Sequence, residues 1–213
     1  DTLRNVQALA KDAINSSIRR ILQDGQEWPF IKTTTTQTLT AGVTTYSFPA
    51  DYSSSDWDTF YIKQLSSKLN TPAVLKPMPY EEYTQSHRAS DDVAPATGLS
   101  VPTQVFQTYG TTFGVTPVPD AAYEVEYVYW STPASLAVYN DISVIPDRFS
   151  HVVIDGAMMY MMQFRSNAQS AQMHQAAFES GIKAMRNVLM DDTFQMRSTY
   201  VVRSGQRTSS GIV

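Results

Sequence analysis

The sequence predicts an α+β fold: a helical bundle from one N-terminal and two C-terminal helices, with an inserted antiparallel β-rich region and an extended C-terminal arm. Three observations predict it. Apolar residues recur at spacings of three and four near both ends of the chain. Between these ends, stretches rich in Thr, Tyr and Val alternate with period two and are punctuated by Gly and Pro. After Asp191-Asp192 the apolar pattern lapses and Ser, Thr and Gly dominate. The expected divisions are 1–32 and 141–192 for the bundle, 33–140 for the β-rich insert and 193–213 for the arm.

In the first element, residues 2–24, Leu3, Val6, Ala10, Ala13, Ile14, Ser17, Ile18, Ile21 and Leu22 fall on one helical face. Thr2 suits the N-cap and Gly25 the stop. Pro29 forbids continuation, and Trp28 and Phe30 anchor the exit. In 33–48 the Thr run with Leu39, Tyr46 and Phe48 reads as strands, with a hairpin turn at Ala41-Gly42. Trp57 to Leu65 reads as a further strand and 66–72 as a loop. Pro79 to Gln85 reads as a short helix, with Glu81 and Glu82 at its positive end. Ser86 to Pro102 reads as one long surface loop. Thr103–Tyr109 and Thr111–Val115 flank Gly110 as a hairpin. In Tyr123–Trp130, Tyr123, Val125, Tyr127 and Tyr129 share one face, with Glu124 and Glu126 opposite. Pro117 and Pro119 make the stretch before it a turn.

Helical periodicity returns near Pro146, with Phe149, Val152, Val153, Gly156, Ala157, Tyr160 and Phe164 in one stripe. Ser166-Asn167 breaks it. A third helix, about 168–190, carries Ala171, Gln175, Phe178, Ile182, Met185 and Leu189. Gly156, Ala157, Ala176 and Ala177 are small enough to let helices approach closely. One N-terminal helix cannot bury its stripe alone, so packing with the two C-terminal helices is the simplest solution.

Composition narrows the chemistry. The hydrophobic fraction of 42% supports a buried core. No apolar run approaches a membrane span, and the N-terminus lacks the form of a signal peptide. With no cysteine, disulfides and thiolate metal sites are excluded. His87, His151 and His174 show no metal-ligand spacing, and no cofactor is expected. The net charge of −4 argues against general nucleic-acid binding. Its distribution is uneven: residues 33–140 hold four bases and ten acids, whereas 193–213 hold Arg197, Arg203 and Arg207 and no acid. No phosphate loop, nucleophile elbow or zinc-helix motif appears. The carboxylate pairs Glu81-Glu82, Asp91-Asp92 and Asp191-Asp192 are adjacent residues, not a pair across a cleft. No catalytic residue is assigned, and a non-enzymatic protein is expected.

Twelve Tyr and three Trp are many for 213 residues. They serve either sheet packing or stacking on sugar rings. Met158, Met159, Met161 and Met162 cover several faces of one helix, more than one core stripe requires. They are the candidate contacts to a neighbouring subunit.

One ordered string of motifs runs through the chain. Glu27-Trp28-Pro29-Phe30 is followed by Leu39-Thr40-Ala41-Gly42 and Tyr46-Ser47-Phe48-Pro49-Ala50-Asp51-Tyr52. Phe113-Gly114-Val115-Thr116-Pro117-Val118-Pro119-Asp120 and Tyr123 to Tyr129 come next, and then Val144-Ile145-Pro146-Asp147-Arg148-Phe149, which runs on to Ala157. In this order the string resembles the head-to-tail adaptor (connector, or tail tubular) proteins of short-tailed bacteriophages, over about residues 2 to 190.

The resemblance implies a structural virion protein, assembled in the host cytoplasm and placed at the head-tail junction. It implies a homo-oligomeric ring, typically of twelve copies, that binds the portal protein, supports the tail nozzle protein and extends the channel through which DNA passes during genome ejection. It also implies portal docking by the C-terminal arm, for which Arg197, Tyr200, Val201, Val202, Arg203 and Arg207 are the candidates. The arginines would pair with carboxylates and the Tyr-Val-Val run would add a strand to an edge. Two placements of the acidic middle stay open, with acids such as Asp56, Asp58 or Asp91 lining the channel, or with the loops at 66–72 and 86–102 meeting the nozzle. The rival class is a β-rich binding module of tail-fibre or carbohydrate-binding type.

Overall fold

The computed structural model describes residues 2–24, 27–63, 73–93, 99–108, 110–138 and 140–197. The protein is a mixed α+β chain with, among the described residues, five α-helices and two β-sheets. It divides into two compact units, one of residues 1–29 and 136–213, the other of residues 30–135.

The first unit contains α1 (Thr2–Leu22), α4 (Ser150–Phe164) and α5 (Ala168–Arg197). The inward stripe of α1 is Ala13, Ser17, Ile18 and Ile21; that of α4 is Val152, Val153, Gly156 and Met159; that of α5 is Ala171, Phe178, Ile182 and Met185. These are the spacings of one helical face. α4 packs against both of the others. Gly156 is where they meet, because a Cβ there would touch Ser17 Oγ and lie 2.6 Å from a ring carbon of Phe178. Ser17, fully buried, donates to the Val153 carbonyl at 3.0 Å. That bond satisfies a hydroxyl that burial would otherwise strand.

Local chemistry ends each helix. The Trp28 indole, fully buried, donates to the Ile21 carbonyl at 3.0 Å and so fills one of the acceptors that the end of α1 leaves open. Pro146 precedes a 3₁₀ turn, Asp147–Phe149, that leads into α4. Ser166 adopts φ 56°, and Asn167 Oδ1 accepts the Ser170 N–H at 3.2 Å, capping α5. Asn15 of α1 holds the chain entering the C-terminal helices: its Nδ2 donates to the Leu136 carbonyl at 3.0 Å, and its Oδ1 accepts the Leu136 N–H at 2.9 Å.

The second unit holds β1 (Lys32–Leu39), β2 (Thr45–Ser47), β3 (Tyr52–Ser55), β4 (Tyr61–Lys63), β5 (Ala73–Val74) and β6 (Lys76–Met78). Then come α2 (Tyr80–Ser86), α3 (Arg88–Val93), β7 (Gln104–Gln107), β8 (Thr112–Thr116) and β9 (Tyr123–Ser131). One sheet runs β1-β9-β4-β5, with β3 also on β9; the other runs β2-β8-β7-β6. β9 is the hub of the first, with Lys32↔Trp130 through Leu39↔Tyr123 as its register to β1. Val125, Tyr127 and Tyr129 point into the core while Glu124 and Glu126 lie on the other face, where Glu126 pairs with Lys63. The core is aromatic: Phe60 stacks on Tyr127 at 4.6 Å, and Phe113 sits 4.9 Å from Phe48 and 5.5 Å from Phe60.

Four expectations change. β1 and β2 are not a hairpin; Gly42 does turn the chain with φ 77°, but β1 pairs with β9 and β2 with β8. Leu39 and Tyr46 enter one core from two different sheets, so the turn passes between sheets. Residues 57–65 begin as a 3₁₀ turn, Trp57–Thr59, and only Tyr61–Lys63 is strand. The stretch 86–102 contains α3, and Ser100 bridges to Pro119. The C-terminal arm is not extended from residue 193, since α5 continues to Arg197. Helix α2, the hairpin of β7 and β8 around Gly110 (φ 80°), and the alternation of β9 match the sequence reading. The expectations for Gly25 and for the loop 66–72 lie outside the described residues.

Candidate interaction surface

The α4 sequence is apolar on more than one side, and the structure separates its faces. The core stripe points at α1 and α5. A second stripe, Ile154, Met158 and Met161, is spaced i, i+4, i+7 and therefore shares one face. Ile154 is 60% exposed, and both methionines are half-buried. This face forms one wall of a groove of about 380 Å³, whose opposite wall is Ala10, Ile14 and Ile18 of α1 and which Ile145 also lines. Ile14 and Ile18 were expected as core residues, and they bury part of their surface here. Met159 is 7% exposed and belongs to the core; Met162 is half-buried outside the groove.

The outer side of α5 is a further apolar face. Met173 is 66% exposed and Val188 49% exposed, with exposed Ala177 and Ala184 between them on the same helical side. Ala176 and Ala177, expected at a close helix approach, are both exposed; Phe164 and Gln175 also lie outside the core. Ile154 was missed as a surface residue. Its spacing to Met158 and Met161 was the available signal.

The polar groups singled out from the sequence do not converge. Among the described residues, no group of three or more His, Cys, Asp or Glu side chains is placed to hold a metal ion. His174 Nδ1 lies 3.2 Å from Asp155 Oδ1, a contact between α5 and α4. His151 is exposed on α4 and His87 follows α2. Glu81 and Glu82 occupy the first turn of α2, and Asp91 is buried in α3 whereas Asp92 is exposed. Of the arm candidates, Arg197 ends α5; Tyr200, Val201, Val202, Arg203 and Arg207 lie outside the described residues. No helix among the described residues is long and apolar enough to cross a membrane.

The sequence model of the SU10 adaptor protein family matches residues 1–204. The chain belongs to the SU10 adaptor protein family. A search of curated proteins found no match. As a phage adaptor protein, the chain has a structural role at the virion's head-tail junction, in association with portal and tail components. The α1–α4 groove and the outer face of α5 are exposed apolar surfaces among the described residues of the helical unit.

Proposed function

We propose that copies of this adaptor protein assemble into a ring on the portal, and that the ring joins the portal to the tail nozzle and extends the DNA channel. Twelve copies is the count that the resemblance implies. The three helices act as a bundle that makes the subunit contacts, with the β-rich unit inserted between α1 and α4. The chain from Arg197 onward, including Tyr200, Val201, Val202, Arg203 and Arg207, docks on the portal through arginine–carboxylate pairs.

The observation that carries this reading is the α1–α4 groove. A closed ring needs a heterologous contact, one patch meeting a different patch on the next copy. The groove with Ile154, Met158 and Met161 is one such patch, and the α5 stripe of Met173, Ala177, Ala184 and Val188 is a second. Burying an apolar side chain of this size is worth about 1.5–3 kcal/mol. Met158→Asp with Met161→Asp is therefore expected to weaken subunit association by about a hundredfold or more. Native mass spectrometry of the variant with its cognate portal reads the result. Monomers with an unchanged helical circular dichroism spectrum fit the proposal; full rings at the wild-type concentration exclude the groove from the contact.

A second reading has one observation behind it. Trp57, Tyr80, Glu81 and Gln107 line an open cleft of about 710 Å³ in the β-rich unit, a composition suited to a saccharide. Binding on a glycan array, abolished by Trp57→Ala, would favour a binding module over a purely architectural unit.

A further inference from the structure

A second cleft lies among the three helices, and its chemistry differs from that of the apolar groove. One face of α5 presents Gln175, Phe178, Glu179, Ile182, Lys183 and Arg186 at alternating steps of three and one. Tyr160 and Gln163 of α4 stand opposite, and Arg20 and Asp24 border it from α1 and the turn after it. Together they enclose about 520 Å³. The floor is apolar, since Met159, Phe178 and Ile182 are 7%, 2% and 7% exposed.

The rim carries three cations, Arg20, Lys183 and Arg186, against two carboxylates. Both carboxylates are engaged within the chain. Asp24 pairs with Arg186 Nη2, and Glu179 accepts from Gln175 Nε2 at 2.9 Å. Arg20 and Lys183 make no ion pair among the described residues. Arg186 Nε is buried and has no acceptor. That atom faces protein and not the open cleft, so the cations open to a ligand are Arg20 and Lys183.

We infer that this cleft is a receptor for a carboxylate carried on an apolar group, as an acidic side chain beside an apolar residue of a partner protein would present it. The oxygens of that carboxylate accept from Arg20 and Lys183, which are exposed and carry no ion pair among the described residues. The five ionised rim groups sum to +1, which matches a monoanion. The planar guanidinium suits a carboxylate fork. The floor of Met159, Phe178 and Ile182 requires an apolar part that a bare anion lacks. This inference rests on the cleft alone and does not depend on ring assembly.

The test titrates the full chain with phenylacetate, with acetate and inorganic phosphate as comparisons, and follows the methyl resonances of Met159 and Ile182. Phenylacetate is expected to shift both saturably, with acetate and phosphate each at least about tenfold weaker. Arg20→Gln and Lys183→Gln change exposed residues and should fold normally; each is expected to weaken phenylacetate by about tenfold. Absence of a saturable shift, tighter binding of phosphate than of phenylacetate, or unchanged affinity in Arg20→Gln and Lys183→Gln would each overturn the inference.

Discussion

Gly156 stands where α1, α4 and α5 converge, and its missing side chain is what lets Ser17 and Phe178 close on α4. Gly156→Ala gains roughly 1 kcal/mol of helix propensity. It also overpacks the junction at a cost of about 1–3 kcal/mol. A net loss of stability in urea unfolding is expected; a gain would show that the junction is looser than described. Gly156 was legible in the sequence because a glycine inside an apolar stripe needs a packing reason, whereas Ala176 and Ala177 carried no such constraint and proved exposed. The tyrosines give a second residue-scale outcome. Burial first, then Asp91 and Asp92, push the Tyr83 phenol up to about 12; burial, then Asp120, does the same for Tyr123. Between pH 10 and 12 the unfolded chain loses these protons while the folded chain keeps them, so stability falls as pH rises through that window. Tyrosinate absorbance should show a late component that shrinks in Tyr83→Phe and Tyr123→Phe. A single transition near 10 for every tyrosine would contradict these environments.

Among the elements, the long periodic ones were readable and the short ones were not. The stripes of α1, α4 and α5 and the alternation of β9 extend over enough residues for the period to show. α3 has six residues, too few for a helical period, and it buries Asp91, which a polar-means-surface reading assigns to a loop. The pairing of β1 with β9 spans most of the second unit's sequence, and local turn chemistry at Gly42 carried no trace of it. The link from α1 to the chain at Leu136 was equally invisible, because two polar side chains make it, Asn15 on Leu136 and Lys11 Nζ on the Ala137 carbonyl. Asn15→Ala removes both Asn15 bonds and leaves the Leu136 N–H unmatched, so a loss of about 1–3 kcal/mol in chemical denaturation is expected. Asn15→Asp, which keeps the acceptor, should lose less. Equal stability of all three proteins would mean that this link contributes nothing.

For the whole molecule, the charge follows the two units. Residues 30–135 hold five bases and ten acids, whereas the remaining residues hold eleven bases and ten acids. Repeated around a ring, the acidic unit would set a strongly negative field. The adaptor role came from the order of many weak motifs and was not visible in composition. The proposed contact surface was harder to read, because α4 is apolar enough on several sides to hide Ile154, Met158 and Met161 among its core residues. The most direct test is cryo-electron microscopy of the full chain with its cognate portal, beside a chain ending at Arg197. The account predicts a ring beneath the portal in which each α1–α4 groove is filled by the next copy, and no ring from the shortened chain. A ring whose grooves stay open to solvent, or no ring from the full chain, would contradict it.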